Sequence, residues 1–385
     1  MKPKNILLIL CSSLIFCGCI DDYNAKEIDE MGDILVVEGV ITDDETIITL
    51  SRSTTLTGEE DAYSYYVDNA NVYVECDNGT QWSAEPYTGY GYRYGRYIIK
   101  NGTLNLNSKY RLKIEIEEVD GDCNPNFQFG GDIVCPTKTY EYCSDFSYPL
   151  QTPEIDNIFF IKRDKGQPIM LYVDTRSPEK IQYYRWSYRE DWEINSEYNM
   201  VPTYPYYCWN SSSSSDLLLG STEKTVYGQL ADILTEIAPS DKRLSVLYRI
   251  AIKQNAISKR AYDYYLNIKK NAENIGSIFA PVPSELRGNI ICTSDPERPV
   301  IGYVDVSSTT KNQRFISRSD NLYEPPWSDC GIFSIENLVA MYGPEVNPIL
   351  LGYVLYGSDL YVLPKCVDCT YYGTTQKPDD WPNNH

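Results

Sequence analysis

Cys366-Val367-Asp368-Cys369 has the spacing of a redox dithiol or of half a zinc site. Neither chemistry finds its second half in the chain. No other Cys-x-x-Cys occurs, no βαβ pattern surrounds this one, and the sole histidine, His385, is the last residue. Nucleophilic triads and most catalytic zinc sites need an imidazole held in a shaped pocket, and a residue at a fraying terminus rarely supplies one. No metal and no cofactor is therefore expected. Cys366 and Cys369 are each expected to bridge to a distant cysteine, such as Cys208. Nine cysteines follow Cys19, an odd number, so at least one thiol stays free or pairs with another chain.

Carboxylates are the other chemical resource, with 54 acids against 34 bases. A pair of them flanking a cleft would suffice for glycoside hydrolysis, but among so many acids no pair is marked by its spacing. Asp43, Asp44 and Glu45, and again Glu59, Glu60 and Asp61, offer oxygen ligands for calcium. They lack a binding-loop pattern and read as solvated acidic turns. The net charge of −20 repels nucleic acid and anionic lipid alike.

Tyrosine is abundant, 35 residues against 9 phenylalanines. Tyr90, Tyr92 and Tyr94 alternate with glycines in one stretch, and Tyr206, Tyr207 and Trp209 follow Pro202 and Pro205 in another. Such side chains offer a flat apolar face and a polar tip at low entropic cost, which suits glycan or peptide contacts. The same pattern also fits Tyr-rich strands that pack on each other.

The elements that would carry these residues are mostly strands. Residues 1–18 have a basic start (Lys2, Lys4), an apolar run from Ile6 to Phe16, and Gly18 before Cys19. This is the layout of a lipoprotein signal peptide, with Cys19 the lipid attachment site. Cys17 two places before the cut is an unusual residue for such a signal. Residues 19–32 read as a tether, and Asp21 and Asp22 resemble an export signal to the outer face of an outer membrane. Ile34–Ile41, Thr46–Leu50 and Asn71–Glu75 read as strands, and Asn78-Gly79 and Asn101-Gly102 as hairpin turns. Tyr110, Leu112, Ile114 and Ile116 alternate with charged residues, the pattern of a half-buried strand. We expect a mainly β protein: an amino-terminal, immunoglobulin-like β-sandwich over 33–120, then a second β-rich domain over 121–385 with a helical insertion at about 223–285. Ser258 and Gly276 frame a helix whose apolar positions include Ala261, Tyr264, Tyr265 and Ile268. A second helix is expected over Val226–Ile237, a loop over Ser211–Ser215, and a strand over Gly352–Leu363.

Several segments in order carry a resemblance. They are Leu35-Val36-Val37-Glu38-Gly39, Asn69-Ala70-Asn71-Val72, Tyr184-Arg185-Trp186, Cys208-Trp209, Gly288-Asn289-Ile290, Gly302-Tyr303, Cys366-Val367-Asp368-Cys369 and Lys377-Pro378-Asp379-Asp380-Trp381. The chain resembles the Bacteroidota lipoprotein family catalogued as domain of unknown function forty-two forty-nine. The resemblance implies a lipid-anchored outer-membrane protein that works beside a TonB-dependent receptor, and no established reaction. The expected role is thus a non-enzymatic accessory or binding component at the cell surface. The rivals are a carboxylate-based surface glycosidase and an adhesin or assembly protein without a small ligand.

Overall fold

The computed structural model describes residues 34–53, 65–86, 95–119, 136–177, 180–199, 203–274, 288–325 and 330–382. Along the chain come β1 (Leu35–Thr42), β2 (Thr46–Arg52), β3 (Ala70–Cys76), β4 (Gln81–Ser83), β5 (Glu85–Pro86), β6 (Arg96–Ile99), β7 (Tyr110–Val119) and β8 (Thr137–Ser144). Then follow β9 (Ile155–Lys162), β10 (Ile169–Arg176), β11 (Tyr183–Asn195), β12 (Tyr207–Ser213), β13 (Leu218–Ser221), β14 (Gln229–Ile237), β15 (Leu247–Ile257) and the helix α1 (Lys259–Asn274). The rest is β16 (Ile290–Cys292), β17 (Val300–Gly302), β18 (Val306–Ser307), β19 (Thr309–Ser317), β20 (Phe333–Ser334), α2 (Ile335–Tyr342), β21 (Val354–Tyr356) and β22 (Leu360–Val362). The protein is mainly β, as its alternating segments predict.

Two pairs of facing sheets make two sandwiches. In the first, a six-stranded sheet (β17-β1-β2-β6-β5, with β18 on β1) faces a five-stranded sheet (β16-β8-β7-β3-β4). Its core is aliphatic and aromatic: Leu35, Val37, Ile48 and Leu50 from one sheet meet Val72, Val74, Leu112 and Ile114 from the other. Strict alternation along β7 puts Leu112, Ile114 and Ile116 inside and the intervening charged residues outside. Strands from beyond residue 120 complete both sheets, and β1 lies parallel to β17 and β18.

In the second sandwich, β14-β10-β9 faces β12-β11-β15-β19, with β13 also on β11. Leu171 and Val173 of β10 pack against Tyr184, Trp186, Ile250 and Ile252. Val300 to Ser317 ties the two bodies together. Val300 pairs with Leu35 and Ser307 with Thr42; Thr309 then pairs with Asn255 and Ser317 with Leu247.

The structure corrects several local expectations. Asn78-Gly79 does turn the β3–β4 hairpin, with Gly79 at φ +89°. Asn101-Gly102 makes no hairpin: β6 and β7 belong to different sheets. Asn101 is instead buried, its Nδ2 donating to the Thr42 carbonyl at 2.8 Å and its Oδ1 accepting from Thr46 Oγ1 at 2.8 Å. Residues 229–237, expected as helix, form β14. Its register against β10 slips where Leu171 faces Thr235 and Tyr172 faces Ile233, leaving Leu234 as a bulge. The bulge breaks the two-residue alternation, so Leu230, Leu234 and Ile237 fall at helical spacing although the backbone is extended. Ser211–Ser213 belong to β12, an edge strand with exposed side chains, rather than to a loop. Residues 352–363 form a hairpin, β21–β22, not one strand.

Candidate functional site

The buried carboxylates of β11 are engaged in hydrogen bonds and ion pairs. On β11, Glu190, Asp191 and Glu193 are all buried. Neighbours on a strand point to opposite faces, so Glu190 and Asp191 cannot open on one cleft. Glu190 Oε1 accepts from Tyr248 Oη at 2.6 Å and from Arg243 Nη1 at 2.7 Å, and Oε2 accepts from Ser212 Oγ at 2.8 Å. Burial and the adjacent Glu190 carboxylate push the Tyr248 phenol far up. Asp191 accepts from Arg249 Nη2 at 2.7 Å and from Arg189 Nε at 2.9 Å. Arg249 lies against the rings of both Phe315 and Trp381, which meet edge-on, and also donates to the Asp379 carbonyl. The segment around Trp381 therefore lies across the outer face of the sheet and keeps water from the Asp191–Arg249 pair.

Asp43, Asp44 and Glu45 sit where the two sandwiches meet, and two of the three are engaged there. Asp44 pairs with Lys253 at 3.2 Å and Lys311 at 2.6 Å, while Asp43 Oδ1 accepts from the Thr309 N–H. Burial works to raise the Asp44 carboxyl, but the two ammonium groups outweigh it and hold it below its usual value. The acidic turn serves as a latch between the two bodies, and a small cavity of about 160 Å³ opens beside it. Glu59, Glu60 and Asp61 lie outside the described residues, and no cluster of potential metal ligands occurs among the described ones.

Asp305 joins the bodies a second time. Its carboxylate accepts from the Ser258 N–H at 2.7 Å at the start of α1, and its carbonyl accepts from the Ile41 N–H. Burial raises its pKa to about 6, only partly offset by the Ser258 hydrogen bonds. Ser258 caps α1 as its sequence predicts, Oγ accepting from the Ala261 N–H, and Ala261, Tyr264 and Tyr265 face inward.

The cysteine expectation leads to the most distinctive region. Cys208 is bridged to Cys369, and Cys330 to Cys366. The Cys330–Cys366 bridge closes a cap, residues 330–372, on itself, and the Cys208–Cys369 bridge staples that cap to β12 beside the end of β11. Tyr198 donates from Oη to the Cys330 carbonyl and from its N–H to the Cys366 carbonyl. Trp209 and Thr374 exchange both backbone hydrogen bonds, beside Gly373, where a Cβ would meet the Trp209 carbonyl at 2.5 Å. The cap's own core is small, Tyr356, Val362, Cys366 and Val367 with Tyr198 and Tyr204 packed against it. A core of that size needs staples.

Outside, the cap is apolar. Met341 and Tyr342 on α2, Ile349, Leu350 and Leu351 on the loop that follows, and Leu355 on β21 are all exposed, Leu350 by 84%. Of the aromatic residues singled out in the sequence, Tyr206 and Tyr207 stack edge-on at 4.7 Å beside the cap, with Tyr207 exposed. Trp209 is half-buried under the Thr374 bridge, with its indole N–H buried and unpaired, so it serves packing rather than surface contact. Tyr90, Tyr92 and Tyr94 lie outside the described residues, as do Cys19, Asp21 and Asp22. The strands on either side of Tyr90, Tyr92 and Tyr94, β5 and β6, belong to the other sandwich. Sequence reading missed the exposed run Ile349-Leu350-Leu351. Its signal was three consecutive aliphatics between Pro348 and Gly352, too short for a strand core and with no alternation.

These features define a class: a double β-sandwich with buried, paired ionisable groups and a disulfide-stapled cap that exposes apolar side chains. The family model described as Domain of unknown function (DUF4249) matches residues 20–121 and 134–313, and the chain belongs to that family. The cap lies beyond the matched residues. No curated protein matches the chain.

Proposed function

We propose that the protein is a lipid-anchored, non-enzymatic binding component of the outer membrane, held through Cys19 and facing the exterior, that works with a TonB-dependent transporter. The observation that carries this reading is the exposed apolar surface on the stapled cap. Exposed apolar surface gathered on one small element marks an interaction site. The engagement of Glu190 and Asp191 in ion pairs weighs against a glycosidase built on them. Asp21 and Asp22 act in this reading as the export signal. Glycan or peptide contacts through the Tyr206–Tyr207 pair fit the same role.

The test is co-purification from detergent-solubilised outer membranes, using the full chain and a Cys19→Ala control. Recovery of a TonB-dependent receptor with the parent chain is expected, with a Cys19→Ala chain that leaves the outer-membrane fraction, either soluble or held at the inner membrane by its uncut signal. A parent chain that sediments alone, or a Cys19→Ala chain that stays in the outer-membrane fraction, would overturn the proposal.

A further inference from the structure

The apolar cap has a charge pattern that narrows what can cover it. From Gly331 to Pro364 the chain holds no lysine and no arginine, but three acids: Glu336, Glu345 and Asp359. All three are exposed. They lie on the same short elements as the exposed aliphatics: Glu336 on α2 with Met341 and Tyr342, Glu345 on the loop that carries Ile349–Leu351, and Asp359 in the β21–β22 turn beside Leu355 and Leu360. The exposed charges on this stretch are therefore all negative; the cap's lysine, Lys365, follows it and is half-buried beside Cys366.

Three kinds of occupant can be weighed. A second copy docking face to face would bring the same acids together, and like charges across an interface suppress pairing. The bilayer is disfavoured twice. Anionic headgroups repel the acids, and a surface-seeking element sets its apolar side chains among lysines and arginines, which this stretch lacks. The remaining occupant is complementary: a different protein whose contact segment sets aliphatic side chains among lysine or arginine.

We infer that the outer face of the cap, centred on Leu350, is the docking surface for such a basic-bordered apolar segment of another protein. This rests on the binding role proposed above but not on the partner being a transporter. The two bridges fit the task, because a small cap held rigid loses little conformational entropy on binding. Apolar contact supplies the attachment and the acids select the partner and speed its approach.

The experiment places a photo-crosslinking residue at Leu350 of the full chain, expressed in its own cells, with a second site at exposed Leu106 on the other sandwich as control. The expected result is one heterologous protein adduct from position 350 and none from 106. The crosslinked peptide of the partner should carry lysine or arginine next to aliphatic residues. A Glu336→Lys/Glu345→Lys/Asp359→Lys chain should lose the adduct by roughly tenfold or more. All three positions are exposed, and unchanged resistance of the folded chain to protease shows that the variant is folded. An adduct of twice the chain's mass, adducts to lipid alone, no adduct from 350, or an adduct indifferent to the triple charge reversal would each overturn the inference. A basic-bordered partner that is not a transporter would sink the earlier proposal and leave this one standing. A transporter that co-purifies without crosslinking from 350 would do the reverse.

Discussion

The two sandwiches solve the same packing problem with different materials. The core cluster of the first holds no charged side chain among its described residues, and the buried carboxylate that it does carry, Asp305, sits between β17 and β18 at the border with the second. The core of the first is Leu, Ile, Val and Tyr, and its cysteines Cys76, Cys143 and Cys292 are buried free thiols. The second threads Glu190, Asp191, Glu193, Arg249 and Gln254 through or across its sheets and carries both disulfides near one end. An aliphatic core is indifferent to salt, pH and reductant. A core with buried ion pairs is specific but fragile, because losing one partner strands the other. The difference teaches where the protein tolerates change and where it has been cross-linked to avoid it.

The largest expected effect comes from stranding a charge. Arg249→Ala leaves Asp191 buried with only Arg189, which is itself largely exposed, and uncovers the ring faces of Phe315 and Trp381. It should destabilise the second sandwich by about 3–5 kcal/mol. Hydrogen exchange should show the loss in β11, β15 and β19 while β1, β2 and β7 keep their protection. Equal loss in both bodies would erase the contrast.

Reduction comes next. A native bridge contributes about 2–4 kcal/mol, and the cap has little core to replace it. Reductant, or Cys369→Ser, should open residues 330–372 to protease while the first sandwich resists. Alkylation of the unfolded, unreduced chain should label Cys76, Cys143 and Cys292 and spare Cys208, Cys330, Cys366 and Cys369. Labelling of the last four would remove the staples from the account.

The smallest effect probes the border between the bodies. The Asp305 pKa is raised to about 6 in the folded protein, above its unfolded value near 3.8. Its contribution to stability is thus fully present below about pH 4 and is lost as pH climbs through about 6. Asp305→Asn keeps an acceptor for the Ser258 N–H without the buried charge. It should stabilise the protein at pH 7.5 by about 2 kcal/mol, with the gain fading toward pH 4. A gain that does not change with pH would show that Asp305 is not titrating in the fold.

Much of this was legible before any coordinates. The alternation of β7 and the Ser258-capped α1 follow from periodicity, since each has one face in and one face out. The Cys208–Cys369 bridge follows from a Cys-x-x-Cys with no chemistry available to it. Three things were hidden for physical reasons. The Leu234 bulge turned a strand's pattern into a helix's. Arg249 occupies an outward position on β15 and reads as a solvent-facing charge, until residues more than a hundred places later cover it. The cap's apolar face has no periodicity to betray it, because its side chains come from a short helix, a loop and a hairpin in turn.

The parallel pairing of β1 with β17 and β18 bears on mechanics. A pull on the tether at Ile34 draws β1 along its own axis, while resistance from the far body arrives through the chain that continues from β18 into β19. The two strands are then loaded in shear, and their hydrogen bonds must yield together rather than open one after another. Under the attachment proposed above, the first sandwich would carry such a load along the seam between β1 and its two parallel neighbours.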